Sequence, residues 1–382
     1  MGPDDPHRAT LEVYEDRAAQ WAARSSAAHA EVDRFTKRLA GDPELPAGAV
    51  MDLGCGPGSH LDSLPAGTIA MDASAAMLGL VAEASPSAPR VRADLRALPV
   101  AGRSLRAAWA NKSYVHIARS LVPMALWDLH RALAPGGIAG IGLFGGDQEH
   151  SPYDGDWFPG RWFSLWPEHL LRDVIEGAGF AVESLAQREA PASGDAPYVF
   201  TLVRRKRTLA DTVGPGMRLL LVGLNPSLHA ADSGVGFSGP SNRGWPALLA
   251  SGLATADRDP SALLREHRIG MTDMVKRATA RASELDPAEY RDGIARLDRL
   301  CAWLQPSAVC VVGLTGWRVA VDRGATAGPQ DRRLGGRPVW LMQNPSGLNA
   351  HVTTEDLADS LLGAARLADR AVQTDSPGSR LP

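Results

Sequence analysis

The sequence predicts an α/β protein made of two successive domains, and three observations carry that prediction. Its 382 residues exceed what one hydrophobic core usually organises. Strand-like and helix-like segments alternate twice, once from Ala49 to about Arg207 and again from Met217 onward, the pattern of mostly parallel sheets covered by helices. Each run opens with an apolar strand that empties into a loop rich in turn-forming residues, where open α/β sheets place ligands.

Taken in order, residues 9 to 40 read as helix with alanine-rich and charged faces, and the ELPAG turn then leads into the strand Ala49 to Leu53. Further strands are expected at Thr68 to Met71, Ala107 to Ala110, Ile138 to Leu143 and Tyr198 to Arg204. The basic cluster Arg204, Arg205, Lys206, Arg207 and the stretch TVGPG then suggest a linker over 208–215, ending a first domain of 1–207. The second domain, 216–370, opens with MRLLLVG at 217 to 223, continues through the helix 287 to 304 and the strands CVVGL at 310 to 314 and VWLMQ at 339 to 343, and precedes a tail, 371–382, expected to be disordered. No internal repeat is visible.

Hydrophobic content of 45% with 22% charged residues is ordinary for a soluble protein. No segment approaches the roughly 18 apolar residues that span a bilayer. The amino-terminus is acidic and polar where a secretory signal is basic and then apolar, so a cytoplasmic location is expected. Three cysteines, Cys55, Cys301 and Cys310, form no CxxC pair, too few for a disulfide framework, a zinc centre or an iron–sulfur cluster, and no metal is expected. A net charge of −3 gives no global attraction to nucleic acid. Lys276, Arg277 and Arg281, with Arg332, Arg333 and Arg337, supply the local positive charge for phosphate contacts, which predicts strongly salt-dependent binding.

In the first half, Asp52-Leu53-Gly54-Cys55-Gly56-Pro57-Gly58 joins a buried-type strand to a helix. Such a turn lets backbone approach a ligand closely and presents helix amino-terminal amides. Alone, a GxGxG is weak. It gains weight because the next strand ends in Asp72, about 20 residues on, where a carboxylate accepts both ribose hydroxyls. With ADLRALP around Asp94 and LAPGG at 133 to 137, these segments resemble class I S-adenosylmethionine-dependent methyltransferases over roughly residues 10 to 207, and imply a Rossmann-like sheet. The resemblance extends to RWFSLWPEHLLRDVIEGAGF at 161 to 180. It implies that Asp52 or its neighbours hold the methionine moiety, that Gly54, Gly56, Gly58 and Leu95 line the cofactor, that Asp72 binds ribose and that Asp94 contacts adenine. Leu105-Arg106 stands where the family often shows Phe-Asp. Asn111-Lys112-Ser113-Tyr114 falls where amino-methylating DNA enzymes carry an Asn/Asp-Pro-Pro-Tyr/Phe loop, but lacks both prolines. Tyr114 and His116 are candidate acceptor-side acid/base groups, with cleft-wall packing the equal alternative. The methyl acceptor is unknown, and a domain that binds cofactor without methylating stays open.

In the second half, the strand at 217 to 223 runs into LNPSLHAADSGVGFSGPSNRGW, and a second Asn-Pro loop, Asn344-Pro345-Ser346-Gly347-Leu348-Asn349, follows another apolar strand. GLNP, the downstream GFxxPxNRxW and NPSGLN together resemble the mismatch-specific uracil/thymine-DNA glycosylases of the uracil-DNA glycosylase superfamily, a match extended by IGMTDMVKRAT at 269 to 279 and covering 216 to 363. It implies an α/β/α sandwich that flips a base from duplex DNA and hydrolyses its N-glycosidic bond with no cofactor. On that resemblance Asn225 and Asn344 are the catalytic pair, Asn225 holding the attacking water without being able to take its proton. The bland reading of Asn225 is an Asx turn. Phe237 stacks on the flipped base, Ser241 and Asn242 complete the base pocket, and Arg243, Ser346, Gly347, Leu348 and Lys276 face DNA, Leu348 as a wedge in the base stack. Phe237 as a loop anchor and Arg243 as a solvated charge are the corresponding bland readings. Thr272, Asp273 and Lys276 support the pocket. Ala350, with His351 next, stands where family members can have an Arg, so contacts to the opposite base are in doubt.

The reading is a glycosylase for uracil, thymine or a modified pyrimidine mispaired with guanine in duplex DNA, fused to a methyltransferase. Two alternatives stay open: a small-molecule or nucleobase methyltransferase whose second domain is a non-DNA N-glycosidase, or one whose second domain only binds DNA. Oligomeric state is not legible.

Overall fold

A computed structural model describes residues 6–24, 30–150, 156, 158–188, 196–347 and 352–375. The chain divides into two compact units, Met1–Glu176 with Phe180–Lys206, and Gly177–Gly179 with Arg207–Pro382.

The first unit runs α1 (Pro6–Ala22), α2 (Ala30–Ala40), β1 (Ala49–Leu53), β2 (Ile69–Asp72), α3 (Ala75–Ala84), β3 (Arg90–Arg92), β4 (Leu105–Asn111), α4 (Val122–Ala132), β5 (Leu133–Gly145), β6 (Glu149–His150), β7 (Phe163–Trp166), α5 (Glu168–Gly177), β8 (Phe180–Gln187) and β9 (Tyr198–Arg205). Strands β3-β2-β1-β4-β5 lie parallel, β9 pairs antiparallel with β5, and β8 antiparallel with β9. This is a Rossmann-like sheet. Strand β1 reads AVMDL and is buried through Leu53, so it runs through the middle of the sheet and releases the glycine loop at its carboxyl end. Trp109, Phe35, Phe200 and Ile138 fill one core beside it. The single helix expected over 9 to 40 is instead two, α1 and α2.

The second unit runs β10 (Leu219–Gly223), α6 (Leu228–Ser233), α7 (Gly244–Ala250), α8 (Pro260–His267), β11 (Ile269–Asp273), α9 (Pro287–Leu304), β12 (Ala308–Val312), α10 (Thr315–Ala320), β13 (Gly328–Leu334), β14 (Arg337–Met342) and α11 (Thr354–Asp375). The sheet order is β11-β10-β12-β14-β13, parallel except for the edge strand β13. Alternation along β10 sends Leu220 and Val222 to one core and Leu219 and Leu221 to the other, and helices cover both faces. That is an α/β/α sandwich. Helix α9 starts where Asp286 and Glu289 exchange hydrogen bonds with each other's backbone amides and Pro287 takes the first turn.

Two sequence expectations are corrected. Residues 208–215 are no free linker: Thr208, Asp211, Thr212 and Val213 are buried in the second unit, and Thr212 exchanges backbone hydrogen bonds with Met271 at 2.9 Å each way. Only Pro215 and Gly216 of the TVGPG turn reach solvent, so its composition marked a turn inside the unit. Helix α11 continues to Asp375, so 371–375 are helical, and 376–382 lie outside the described residues. Among the described residues no helix is long and apolar enough to cross a membrane.

Candidate functional site

In the first unit the carboxyl ends of β1, β2 and β4 open on a cavity of about 530 Å³. Gly54 and Gly56 hold the loop after β1 with φ of 69° and 54°, a conformation that favours glycine. A β-carbon on Gly54 would strike Ser113. Asp72 ends β2, its Oδ2 accepting the Gly56 amide at 2.8 Å and its Oδ1 the Ser74 amide at 2.9 Å. Burial nonetheless raises its pKa. Asp52 lines the cavity with Oδ2 buried and without a hydrogen-bond partner among the described residues, as is Ser113 Oγ. Burial, aided by the Asp72 charge, lifts the Asp52 carboxyl to about 8. A buried carboxyl without a partner is costly unless a cationic or donor group reaches it. The cavity therefore suits a ligand with an ammonium near Asp52 and hydroxyls near Asp72.

Two of the cofactor residues expected from the sequence do not line the cavity. Asp94 does not line the cavity, though Ala93 and Leu95 do. Arg96 grips the Asp94 carboxylate through Nε and Nη2, at 3.1 and 2.8 Å, and His7 lies 3.1 Å away. Burial pushes that carboxyl up, but these bonds outweigh it and hold it well below the usual range. Gly58 is also absent from the lining, and a β-carbon there would meet Leu61 and Val81, a packing constraint. Tyr114 is fully buried away from the cavity, so it offers no ring to a flipped base. His116 does line the cavity, beside Tyr14, which the sequence left inside an unremarkable amino-terminal helix.

In the second unit the sites cluster at the carboxyl ends of β10, β11 and β14. Past their strands the first two loops stay zipped: Met274 N–H donates to Gly223 O at 2.8 Å, Val275 to Leu224 O at 2.9 Å and Thr279 to Pro226 O at 3.1 Å. This places Asn225 beside the second loop. Its Nδ2 donates to Thr279 Oγ1 at 2.8 Å and to Arg277 O at 3.0 Å. Because a carbonyl only accepts, Arg277 fixes which way the carboxamide faces, and Asn225 Oδ1 takes no hydrogen bond from the described residues. Phe237 has φ of 56°, unusual for a bulky residue. Its ring edge lies 3.5 Å from where a Gly223 β-carbon would be, and Asp273 Oδ1 crowds the same point. Only glycine fits there. Trp245, read from sequence as core, is fully buried with its indole N–H on Gly236 O at 2.8 Å.

The remaining predicted residues shape loops. Asn242 Oδ1 accepts the Gly244 amide at 2.8 Å at the start of α7, and Asn344 Oδ1 accepts the Ser346 amide at 2.9 Å. Ser241 packs against Gly347, where an added β-carbon would lie 2.6 Å from Ser241 Cβ. Arg243 spends its guanidinium on Ser346 O, at 3.2 Å, and on Val352 O, tying the two loops together. Leu348, the expected wedge, lies outside the described residues, as do Asn349, Ala350 and His351.

Lys276 is not a surface cation. Its Nζ lies 2.6 Å from Asp211 Oδ1, and Arg296 takes the other carboxylate oxygen at 2.9 Å. Burial raises the Asp211 pKa, but Arg296 and Lys276 more than reverse it. Most of the basic cluster is likewise engaged: Arg277 with Glu289, Arg332 with Asp298, Arg333 with Gly336 O and Arg337 with Pro306 O. Asp273, given only a supporting part by sequence, is a buried carboxyl bordering a small cavity of about 20 Å³ with Phe237 and Thr272. Burial, partly offset by Lys276, lifts it to about 6. Its sequence signal was its position as the last residue of an apolar strand.

Comparison with known proteins finds a family match within each unit. Residues 210–362 match the uracil DNA glycosylase superfamily, and residues 50–137 match a methyltransferase domain family. The chain carries a methyltransferase domain followed by a uracil DNA glycosylase superfamily domain. The methyltransferase domain has similar solved structures. One is an S-adenosylmethionine-dependent methyltransferase from Methanosarcina mazei, 13% identical, covering 42% of this chain and 95% of that one, TM-score 0.38. Another, from Burkholderia thailandensis, is 1,6-didemethyltoxoflavin-N1-methyltransferase with bound 1,6-didemethyltoxoflavin and S-adenosylhomocysteine, 18% identical, covering 54% and 92%, TM-score 0.42. A third, an S-adenosylmethionine-dependent methyltransferase from Leishmania major, is 12% identical, covering 52% and 82%, TM-score 0.43.

Proposed function

We propose that the second domain is a DNA glycosylase that hydrolyses the N-glycosidic bond of uracil, or a related pyrimidine, mispaired with guanine, and that the first domain is an S-adenosylmethionine-dependent methyltransferase. What carries the glycosylase reading is Asn225. With Nδ2 committed to Arg277 O and Thr279 Oγ1, its Oδ1 is the acceptor left for a water O–H. The glycosidic bond breaks with its electron pair leaving on the base, and the held water adds to the sugar carbon, its surplus proton passing to the departed base anion or to solvent. A carboxamide orients that water without removing its proton, so the reaction draws on positioning more than on base strength. Phe237, propped by Gly223 and Gly244, supplies the flat surface for the base.

For the methyltransferase, the unpartnered Asp52 and the Gly54–Gly56 loop fit the methionine end of the cofactor, Asp72 its ribose and Leu95 its adenine. The cofactor would supply an electrophilic methyl group.

The deciding experiment incubates the protein with duplex oligonucleotides containing U:G, T:G and U:A pairs and assays alkali-labile strand breaks. Cleavage at U:G that Asn225→Ala loses supports the reading, and intact DNA with wild-type protein removes it. The paired state of most of the basic cluster favours a second reading, a glycosylase acting on shorter N-glycosides, so a free deoxyuridine arm belongs in the same assay.

A further inference from the structure

The cavity of the first unit extends past the cofactor residues proposed above to a hydrogen-bonded chain that the glycine loop does not need. His116 Nδ1 lies 2.7 Å from Trp162 O, and Tyr14 Oη lies 2.7 Å from His116 Nε2. A carbonyl only accepts, so Nδ1 carries the proton and Nε2 of the neutral ring is an acceptor. Tyr14 therefore donates to His116. Arg161 Nη1 donates to Tyr14 Oη at 2.8 Å, and Asp156 holds Arg161 by an ion pair. With one donor given away and one bond accepted, Tyr14 Oη has a single lone pair left, and Tyr14 lines the cavity. Trp21 meets Tyr14 edge-on and Phe163 packs against His116, while Phe144 and Tyr198 line the same cavity with Lys112 over their rings.

We propose that this cavity takes, beside the cofactor, a small aromatic methyl acceptor that donates an O–H or N–H hydrogen bond to Tyr14, with His116 and Arg161 as positioning residues. The proposal rests on the methyltransferase reading above. A volume of about 530 Å³ is that of a small-molecule site, and flat rings offset-stack on aromatic walls. A polar point that only accepts selects a ligand that donates. In the reaction the acceptor's O–H or N–H bond breaks and its electron pair stays on the acceptor atom, which bonds to the methyl carbon as the C–S pair returns to sulfur. The proton passes to Tyr14 Oη while Tyr14's own proton passes to His116 Nε2. Burial, with Arg161 nearby, holds His116 down at about 3. It is a weak base, sufficient because the acceptor proton becomes strongly acidic only as the methyl bond forms. The titratable and charged groups nearest this chain are Arg161, Asp156, Asp72 and His7, and Arg24, Asp52, Lys112 and Arg188 line the same cavity.

The test loads the full-length protein with S-adenosylhomocysteine, confirms that binding by calorimetry, and titrates two probes by fluorescence: 2-naphthol and 2-methoxynaphthalene, which lacks the O–H. Wild type is expected to prefer 2-naphthol about tenfold, with a ratio constant from pH 5 to 8. Tyr14→Phe should erase the preference while leaving S-adenosylhomocysteine affinity within about twofold. Should Tyr14→Phe fail to fold, His116→Gln must lower the same ratio, and Arg161→Lys must restore part of what Arg161→Met loses. Equal binding of the two probes, binding of neither, or an intact preference in folded Tyr14→Phe overturns the proposal. Failure of the wild type to bind S-adenosylhomocysteine overturns the cofactor reading instead.

Discussion

The two domains prepare for their ligands in opposite ways. The first holds a cavity of about 530 Å³ with buried polar atoms that no described residue partners, notably Asp52 Oδ2 and Ser113 Oγ. In the second, Asn242, Asn344, Arg243 and Lys276 are turned onto the protein's own loops and carboxylates, and the cavity beside Phe237 is only about 20 Å³. Unsatisfied groups around an open volume describe a site already shaped for a small molecule. Satisfied groups around a closed one describe a site that must exchange internal bonds for ligand bonds. Affinity in the first is set by fit, and in the second by what the loops give up.

The sharpest way to break this contrast is Asn225→Ala, which should slow uracil release about 1000-fold in single-turnover measurements while duplex affinity stays near wild type. A large loss of affinity would mean that Asn225 holds DNA and not water. Next is Lys276→Met. If Lys276 is an internal partner of Asp211, the change costs about 3 kcal/mol of stability in urea unfolding and leaves the salt dependence of DNA affinity unchanged. A reduced salt slope at unaltered stability would return Lys276 to the DNA surface.

Asp52→Asn probes the strain in the open cavity. Its folded pKa of about 8 lies above the ordinary value of about 3.9, so its contribution to stability is fully present below pH 4 and is lost as pH rises toward 8. Asparagine suffers no such loss. The variant should melt like wild type at pH 4 and on the order of 10 °C higher at pH 8, while binding S-adenosylhomocysteine more weakly. Equal melting at both pH values would show Asp52 to be solvated. The smallest effect is expected from Asp273→Asn. Wild-type uracil release should change about tenfold through an apparent pKa near 6, and the variant should show a flat profile there.

How much of this the sequence revealed follows from how local each signal is. The strands AVMDL and LLLVG were legible because an unbroken apolar run belongs to a strand buried on both faces. Strand β13 was not: GPQDRRL is polar and largely exposed, and only pairing with β14 makes it a strand. The glycine loop, Asp72 and Asn225 lay in compact motifs that read off directly. Lys276 was misjudged because its partner Asp211 sits 65 residues away, and a lysine in a basic cluster looks the same in sequence whether buried or free. Tyr14 was missed because its meaning depends on His116, Arg161 and Trp162, none of them near it in the chain.

Arg243 has one more implication. Its guanidinium fastens Ser346 O and Val352 O, the carbonyls just before and just after residues 347–351. One side chain thus holds both the end of the second Asn-Pro loop and the start of the segment that leads into α11. Replacing Arg243 with alanine should release both carbonyls at once, which faster amide exchange around Ser346 and Val352 would report.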